Sequence, residues 1–260
     1  MPPTRFEVVC EVQPATRPDL MHVRHQIGVL SRLSSGFLIP DNHLGRATIS
    51  SVAVAHEVDQ MGGRAIACLN ARDRNLLGLR RDLMTAAAYG VDEFLLVYGD
   101  RPSAGVRTGE LKVRSMLDEV HRFSEGAGSD LPLHLRAGVT TRLTAVPHWK
   151  READFVFVQA CFDLDALLRW RETADLHQKV YAAVLVPPSA SRARKWTTEI
   201  PEIAVPDAWI ATLDKDSRSG VGLACDLAIA IRDCGAFDGL HLIPAIRHRE
   251  VALRLEPEFA

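Results

Sequence analysis

Three polar side chains stand at or just beyond the ends of short apolar runs, where an acid or an amide can do chemistry. Glu11 follows Val-Val-Cys, Gln159 follows Phe-Val-Phe-Val, and Asp100 comes soon after Phe-Leu-Leu-Val. An unpaired carboxylate is costly to bury, so a carboxyl group at such a position needs a partner or a function. A carboxylic acid can donate a proton, a carboxylate can stabilise a cation, and an amide can bind a mixed donor and acceptor edge.

Further polar residues occupy similar positions after other apolar runs. They are Asp41, Asn42, Asn70, Asp73 and Arg247. An aspartate between a strand and a helix is also a common helix N-cap. For Asp41 and Asp73 the sequence therefore leaves two interpretations open, capping a helix and binding a ligand.

Eight short apolar or β-branched runs alternate with longer helical patterns. The runs cover residues 6–12, 36–39, 64–69, 93–97, 131–136, 155–159, 180–186 and 239–243. The clearest helical patterns cover 76–89, 111–123 and 220–234, whereas 138–151 is expected to be irregular. Strands separated by helices predict a parallel sheet, and eight such units favour a closed (β/α)8 TIM barrel over an open sheet. One barrel domain is expected over residues 1–260, because such domains commonly have roughly 250 residues.

A barrel of this kind places the carboxyl ends of all its strands on one face, where catalytic residues lie. Glu11, Asp100 and Gln159 are therefore expected at that face. Glu7 shares the inward register of the first strand with Glu11 but lies nearer the opposite end of the barrel. It is a weaker candidate for that reason.

Composition excludes several classes of protein. The formal net charge of -2 gives no basic footprint for nucleic acid, and no apolar run approaches the roughly 20 residues needed to cross a bilayer. The N-terminus lacks the apolar stretch of a signal peptide. The five cysteines stand singly with no C-x-x-C pair, so neither a metal site nor a disulfide framework is expected. These features predict a cytoplasmic protein that is a monomer or a small homo-oligomer.

Five segments, in order, resemble the methylenetetrahydrofolate reductase family. Residues 11–16 are similar to its Glu-Phe-Phe-Pro-Pro start, 98–102 to its Arg-Gly-Asp-x-Pro turn, 159–163 to its Gln-Phe-Phe-Phe-Asp strand end, 186–189 to Leu-Pro-Val-Ser, and 241–247 to the closing strand with its terminal Arg. The stretch from residue 41 to 75 also resembles the reductase half of bifunctional homocysteine methyltransferase–reductases. The resemblance spans nearly the whole chain.

The resemblance implies reduction of 5,10-methylenetetrahydrofolate to 5-methyltetrahydrofolate. In that reaction a five-membered ring opens to a cationic iminium, which then accepts a hydride. Glu11 matches the family's proton donor, Asp100 the carboxylate that stabilises the cation, and Gln159 the amide that binds the pterin. The resemblance thus implies 5,10-methylenetetrahydrofolate and a reduced nicotinamide, NADH or NADPH, as ligands.

Three departures from the family's pattern concern its FAD. Cys68 replaces a histidine, Tyr98 replaces an arginine that helps to hold the flavin, and residues 136–142 replace a loop that precedes a basic helix. FAD is therefore expected to be absent, and the chain resembles a flavin-independent subgroup in which the nicotinamide takes the flavin's place and donates hydride directly. A Rossmann-type dinucleotide site is not expected, because no Gly-x-Gly-x-x-Gly turn follows the first strand.

The remaining candidates for substrate or cofactor binding are Asp41, Asn42, Asn70, Tyr98, Phe162, Trp196 and Arg247. Trp196 stands beside the position from which the family stacks an aromatic ring on a ligand, and ordinary helix packing explains it equally well. Four basic residues are predicted on the rim of the same face, namely Arg192, Arg194, Lys195 and Arg247. They can meet the carboxylates of a folate tail or form a solvated basic surface.

Four other functions remain open. They are an FAD-dependent reductase with an altered pocket, a deazaflavin-dependent reductase of a tetrahydropterin, a non-catalytic folate-binding barrel subunit, and a barrel of unrelated chemistry. Colour separates the first, since a purified flavoprotein is yellow. The presence of Glu11, Asp100 and Gln159 together argues against a non-catalytic subunit.

Overall fold

The computed structural model describes residues 6–101, 103–126, 134–200 and 203–259. Eight parallel strands close into a barrel in chain order, and the last strand pairs with the first. The strands are β1 Glu7–Glu11, β2 Gly36–Ile39, β3 Ala65–Asn70, β4 Glu93–Val97, β5 Arg136–Thr141, β6 Phe155–Val158, β7 Lys179–Leu185 and β8 Gly239–Ile243. The predicted (β/α)8 TIM barrel is therefore confirmed.

Helices surround the barrel and cover the outward faces of its strands. They are α1 Met21–Leu30, α2 Ser51–Gln60, α3 Leu76–Ala88, α4 Val113–Ser124, α5 Leu164–Thr173, α6 Ala190–Glu199, α7 Asp207–Lys215, α8 Ser219–Asp233 and α9 His248–Phe259. A 3-10 helix, His148–Glu152, stands between β5 and β6 in place of an α-helix. None of the helices in the described ranges is both long enough and apolar enough to cross a membrane.

The fifth strand was predicted in the wrong place. Residues 131–136 were expected to form it, but it runs over Arg136–Thr141, and residues 131–133 lie outside the described part of the chain. The assignment of 138–151 as irregular is therefore wrong for its first residues. The segment compared with the family's loop, 136–142, is largely this strand. Its Gly138 pairs with Phe155, a contact between distant residues that a local apolar pattern does not reveal.

Side chains alternate along each strand between the helices and the barrel interior. Val8 and Cys10 of β1 belong to the large outer core under the helices, whereas Val9 belongs to the smaller inner cluster. Phe157 and Tyr181 stack in that inner cluster with their ring centroids 4.7 Å apart. The interior is thus a packed core, which leaves the ends of the strands for chemistry.

The N-terminal end of the barrel is closed by a network of charges around Glu7. The Glu7 carboxylate accepts hydrogen bonds from Arg64 (2.9 Å), from the Tyr181 hydroxyl (2.8 Å) and from Lys179. Burial alone would raise the pKa of Glu7, but the hydrogen bonds from Lys179 and Tyr181 and the charge of Arg64 outweigh it and hold the pKa below its ordinary value. Glu7 is therefore an ionised structural residue at the end of the barrel opposite to Glu11.

Candidate active site

Glu11 ends β1 as a buried carboxyl group at the C-terminal end of the barrel. Its residue exposure is 7%, and within the described ranges no group donates a hydrogen bond to it. Nε2 of His241 lies 3.3 Å from Glu11 Oε2. Burial without a hydrogen-bond partner is costly and is typical of functional groups.

His241 of β8 faces the same interior space. Its ring meets Phe157 edge-on with a centroid distance of 5.2 Å. Nε2 is buried and makes no hydrogen bond of good geometry with a described residue, although it lies at ion-pair distance from Glu11. Sequence reasoning gave His241 no role. The signal available in the sequence was its position on β8: alternation along the strand points its side chain into the barrel, two residues before the strand ends.

Asp100 lies beyond β4 at the same end of the barrel as Glu11. Its Oδ2 accepts a hydrogen bond of 2.8 Å from the backbone N–H of Leu44, in the loop between β2 and α2. Leu44 has a φ of 56°, and Asn42 in the same loop has a φ of 48°. Such left-handed conformations cost free energy in residues with side chains and persist where contacts hold them. Asp100 thus supports this loop with one oxygen, while Oδ1 accepts no hydrogen bond from the described residues.

Asp41 and Asn70 are joined in one buried network. Asp41 Oδ2 accepts hydrogen bonds from the backbone N–H (3.0 Å) and the side-chain amide (2.6 Å) of Asn70, and also from Arg74. Arg74 continues to Asp82 at 2.8 Å. The polar atoms of both predicted binding residues therefore fix the loops after β2 and β3 to each other.

Asn42 and Asp73 extend this network, and neither aspartate of the region caps a helix. The Asn42 amide donates to Asp73 Oδ2 at 3.0 Å. The N-caps are Ser50 for α2 and Asn75 for α3, and the Asn75 side chain accepts from a backbone N–H of the helix. The capping interpretation is therefore wrong for both Asp41 and Asp73.

Gln159 follows β6 with a half-buried side chain. Its backbone N–H donates to Thr141 at 2.9 Å, and its amide makes no hydrogen bond with a described residue. Phe162, just beyond it, packs edge-on against Trp209 of α7 with a centroid distance of 5.0 Å. The Gln159 amide is thus open to a ligand, while the Phe162 ring is largely occupied by packing.

Trp196 and Arg247 lie on the side of the barrel formed by β7 and β8. Trp196 is partly buried against a small apolar cluster that includes Phe162, which supports the packing interpretation. Arg247 donates to the Pro188 carbonyl at 3.3 Å and pairs with Glu250 at 3.2 Å. Both residues therefore have structural contacts at the rim.

The other predicted rim residues lie on α6. Arg194 pairs with Asp214, and Lys195 lies 3.6 Å from Glu199. The exposed Arg192 side chain forms no ion pair with a described residue. On α6, then, Arg192 is the guanidinium available to an anion.

His248, at the start of α9, is a second histidine that sequence reasoning missed, and it is half-buried. Its Nε2 is buried without a partner in the described ranges. Burial and the neighbouring His22 and His25 lower its pKa to about 4, while Glu250 and Glu11 oppose the shift. Between about pH 4 and 6.5, His248 is therefore mostly neutral in the folded protein, whereas it is mostly protonated in the unfolded chain.

This difference predicts an acid-dependent loss of stability. Between the unfolded pKa of about 6.5 and the folded value of about 4, the unfolded chain binds more protons, so the free energy of unfolding falls as the pH falls through that window. Urea unfolding from pH 7.5 to 4.5 should show a shallower loss for His248→Gln than for the parent. His177→Gln is the matched control, because the His177 side chain is 91% exposed. Parallel curves for parent and His248→Gln would contradict the prediction.

Among the described residues, no group of histidine, cysteine and acidic side chains is arranged to hold a metal ion. Glu11, Asp100 and Gln159 all lie at the C-terminal ends of strands, as the barrel prediction required. The arrangement combines a buried acid beside a histidine, a second carboxylate with an open oxygen, and an open amide.

No protein-family model matches the chain, and no curated protein matches its sequence. Similar solved structures share the barrel at low identity. One is an uncharacterized protein from Clostridium thermocellum that binds two copies of 5-methyl-5,6,7,8-tetrahydrofolic acid (TM-score 0.64, 12% identity, covering 98% of this chain and 95% of that one). Another is EDTA monooxygenase from Chelativorans sp. BNC1 (TM-score 0.57, 11% identity, covering 98% and 93%). A third is the tryptophan synthase A-subunit from Pyrococcus furiosus (TM-score 0.54, 12% identity, covering 97% and 96%). These likenesses show the fold.

Proposed function

We propose that this chain reduces 5,10-methylenetetrahydrofolate to 5-methyltetrahydrofolate with a hydride taken directly from NADH or NADPH. The observation that carries the proposal is Glu11, a buried carboxyl group that receives no hydrogen bond from the described residues, at the position that matches the proton donor of the resembled family. The Clostridium thermocellum protein with the same fold binds 5-methyltetrahydrofolate, which supports a folate as the ligand.

Each residue has a chemical task in this reaction. Glu11 protonates the nitrogen that departs when the five-membered ring opens. Nε2 of His241, 3.3 Å from Glu11 Oε2, is the polar group beside the carboxylate that remains. The open carboxylate oxygen of Asp100 stabilises the cationic iminium. The open amide of Gln159 donates to and accepts from the pterin edge.

The residues at the positions of the family's flavin contacts do not suit FAD. Cys68 lies in the apolar interior, and burial raises the pKa of its thiol well above the ordinary value. Tyr98 carries no positive charge. In the β5–β6 connection, Lys150 donates to the Thr140 carbonyl at 2.8 Å, and burial lowers its pKa. These contacts support hydride transfer without a flavin.

Anaerobic mixing of the purified protein with NADH and methylenetetrahydrofolate, without added flavin, tests the proposal. We expect NADH oxidation coupled to 5-methyltetrahydrofolate formation, with sequential kinetics, because donor and acceptor carbons must lie within about 3–3.5 Å of each other at one time. Hydride labelled on the nicotinamide should appear in the product methyl group without exchange into solvent.

Three results would reject direct transfer in favour of a flavoenzyme: ping-pong kinetics, stoichiometric flavin in the purified protein, or solvent-derived label in the methyl group. Binding of 5-methyltetrahydrofolate without turnover with either nicotinamide would instead support a folate-binding barrel. Repeating the assay with NADPH identifies the preferred donor.

A further inference from the structure

A cavity of about 410 Å³ opens between the loops that follow β3 and β4. Its lining consists of Arg72, Tyr98, Gly99, Arg101 and Arg107. Three of these five residues carry guanidinium groups and none is acidic. A concave surface with this lining favours an anion.

Arg72 is the buried member of this arginine cleft. Its side chain is 2% exposed, and its Nε and Nη2 donate to the two carboxylate oxygens of Asp73 at 3.0 and 3.2 Å. The remaining Nη1 is buried and has no hydrogen-bond partner within the described ranges. An unsatisfied buried donor costs free energy, and a guanidinium donor left in this state is suited to an oxyanion.

Arg101 and Arg107 supply the charge of the cleft. Both are exposed, and neither forms an ion pair with a described residue. The Arg107 guanidinium lies over the Tyr98 ring, 4.9 Å from its centroid. Asp73 neutralises Arg72. The nearby Asp100 carboxylate, whose Oδ2 accepts from the Leu44 N–H, offsets part of the charge of Arg101 and Arg107, and a positive excess remains at the cleft.

Backbone contacts hold the two loops together. The Thr108 N–H donates to the Arg72 carbonyl at 3.1 Å, and its hydroxyl donates to the Arg74 carbonyl at 2.7 Å. Gly99 has a φ of +93°, and an added Cβ there would lie 2.9 Å from the Asn70 side chain. This close approach requires glycine, and it fixes the backbone between Tyr98 and Arg101 before any ligand arrives.

We infer that the arginine cleft binds the diphosphate group of a dinucleotide, which under the proposed function is the nicotinamide substrate. Guanidinium groups match phosphate oxygens in bidentate fashion, and two adjacent phosphates suit a cluster of three arginines. The glutamyl carboxylates of a folate are the other source of oxyanions. The cleft lies beside β3 and β4, diametrically opposite to β7 and β8, where Arg192 and Arg247 stand. Two ligands stacked over the barrel can thus direct their anionic ends to opposite sides.

Binding of ADP-ribose, measured by titration calorimetry, tests the cleft apart from catalysis, because this probe has the diphosphate and lacks the nicotinamide. We expect the double variant Arg101→Gln/Arg107→Gln to weaken the binding of ADP-ribose at least about tenfold, since it removes two charged donors to phosphate oxygens. Its affinity for 5-methyltetrahydrofolate should stay within about twofold. Arg32→Gln changes an arginine that lies just after α1 and has an 85% exposed side chain, so it should alter neither affinity.

Two outcomes would overturn the assignment. Weakened folate binding with unchanged ADP-ribose binding would show that the cleft takes the glutamyl tail. Parent protein that binds neither ADP-ribose nor inorganic pyrophosphate would show that it is not an anion site. If ADP-ribose binds and the double variant loses it while the parent shows no reductase turnover, the diphosphate site stands and the proposed reaction fails.

Discussion

Glu11→Gln is expected to lower the turnover of methylenetetrahydrofolate at least about 10²-fold, because glutamine keeps the size and polarity of the protonated acid but cannot donate its proton. The fold should tolerate the change. No described residue donates a hydrogen bond to Glu11, so the substitution removes no structural hydrogen bond. Affinity for 5-methyltetrahydrofolate should also change little, since the product no longer needs the proton.

Glu7→Gln is the matched control, because Glu7 faces the interior from the same strand. Its carboxylate accepts hydrogen bonds from Arg64, Lys179 and Tyr181, so its neutralisation should lower the free energy of unfolding and leave kcat nearly unchanged. Steady-state kinetics and urea unfolding of both variants separate the two roles. A Glu11→Gln enzyme within about twofold of the parent kcat would falsify the proton-donor role.

The apolar pattern predicted most of the barrel for a physical reason. Strands of a parallel barrel are buried on both faces, so they read as continuous apolar runs instead of alternating ones. Phe-Val-Phe-Val at residues 155–158 is such a run, and it forms β6 with every residue buried. The rule that catalytic groups lie at strand ends then selected Glu11, Asp100 and Gln159 as candidates, and the structure places all three at the C-terminal ends of strands.

The contacts around these residues could not be predicted in the same way. Asp41 and Arg74 are far apart in the sequence, and their ion pair depends on how the loops after β2 and β3 meet. The pairing of Glu11 with His241 depends on barrel closure, which brings β8 beside β1. The arginine cleft depends on how the loop that carries Arg72 meets the loop that carries Arg101 and Arg107, which Thr108 joins by donating to the Arg72 carbonyl. Each is a tertiary contact that no local pattern records.

The second large expected effect concerns the stability of the fifth strand, whose position the sequence did not predict correctly. β5 reads Arg-Ala-Gly-Val-Thr-Thr, a weak strand pattern whose Gly138 gives room to a ring from the next strand. An added Cβ at Gly138 would lie 2.0 Å from Phe155 Cε2. Phe155 is 1% exposed and packs against Phe157 and Tyr181, at centroid distances of 5.7 and 6.3 Å, so a shift of its ring would disturb the inner cluster.

Gly138→Ala should therefore lower the free energy of unfolding by about 3 kcal/mol, the upper part of the range for overpacked cores. Gly28→Ala is the matched control. Gly28 lies in α1 with nothing within 4 Å of the added Cβ, so alanine there should stabilise the protein by about 0.5–1 kcal/mol through helix propensity. Urea midpoints at constant m-value measure both changes.

The double variant Gly138→Ala/Phe155→Leu identifies the cause of the destabilisation. A leucine side chain is smaller than the ring, so it should relieve the clash, and the double variant should be more stable than the sum of the two single changes predicts. Strict additivity would show that alanine acts on the backbone of β5 instead of on Phe155. In that case the strand's own conformation would require the glycine.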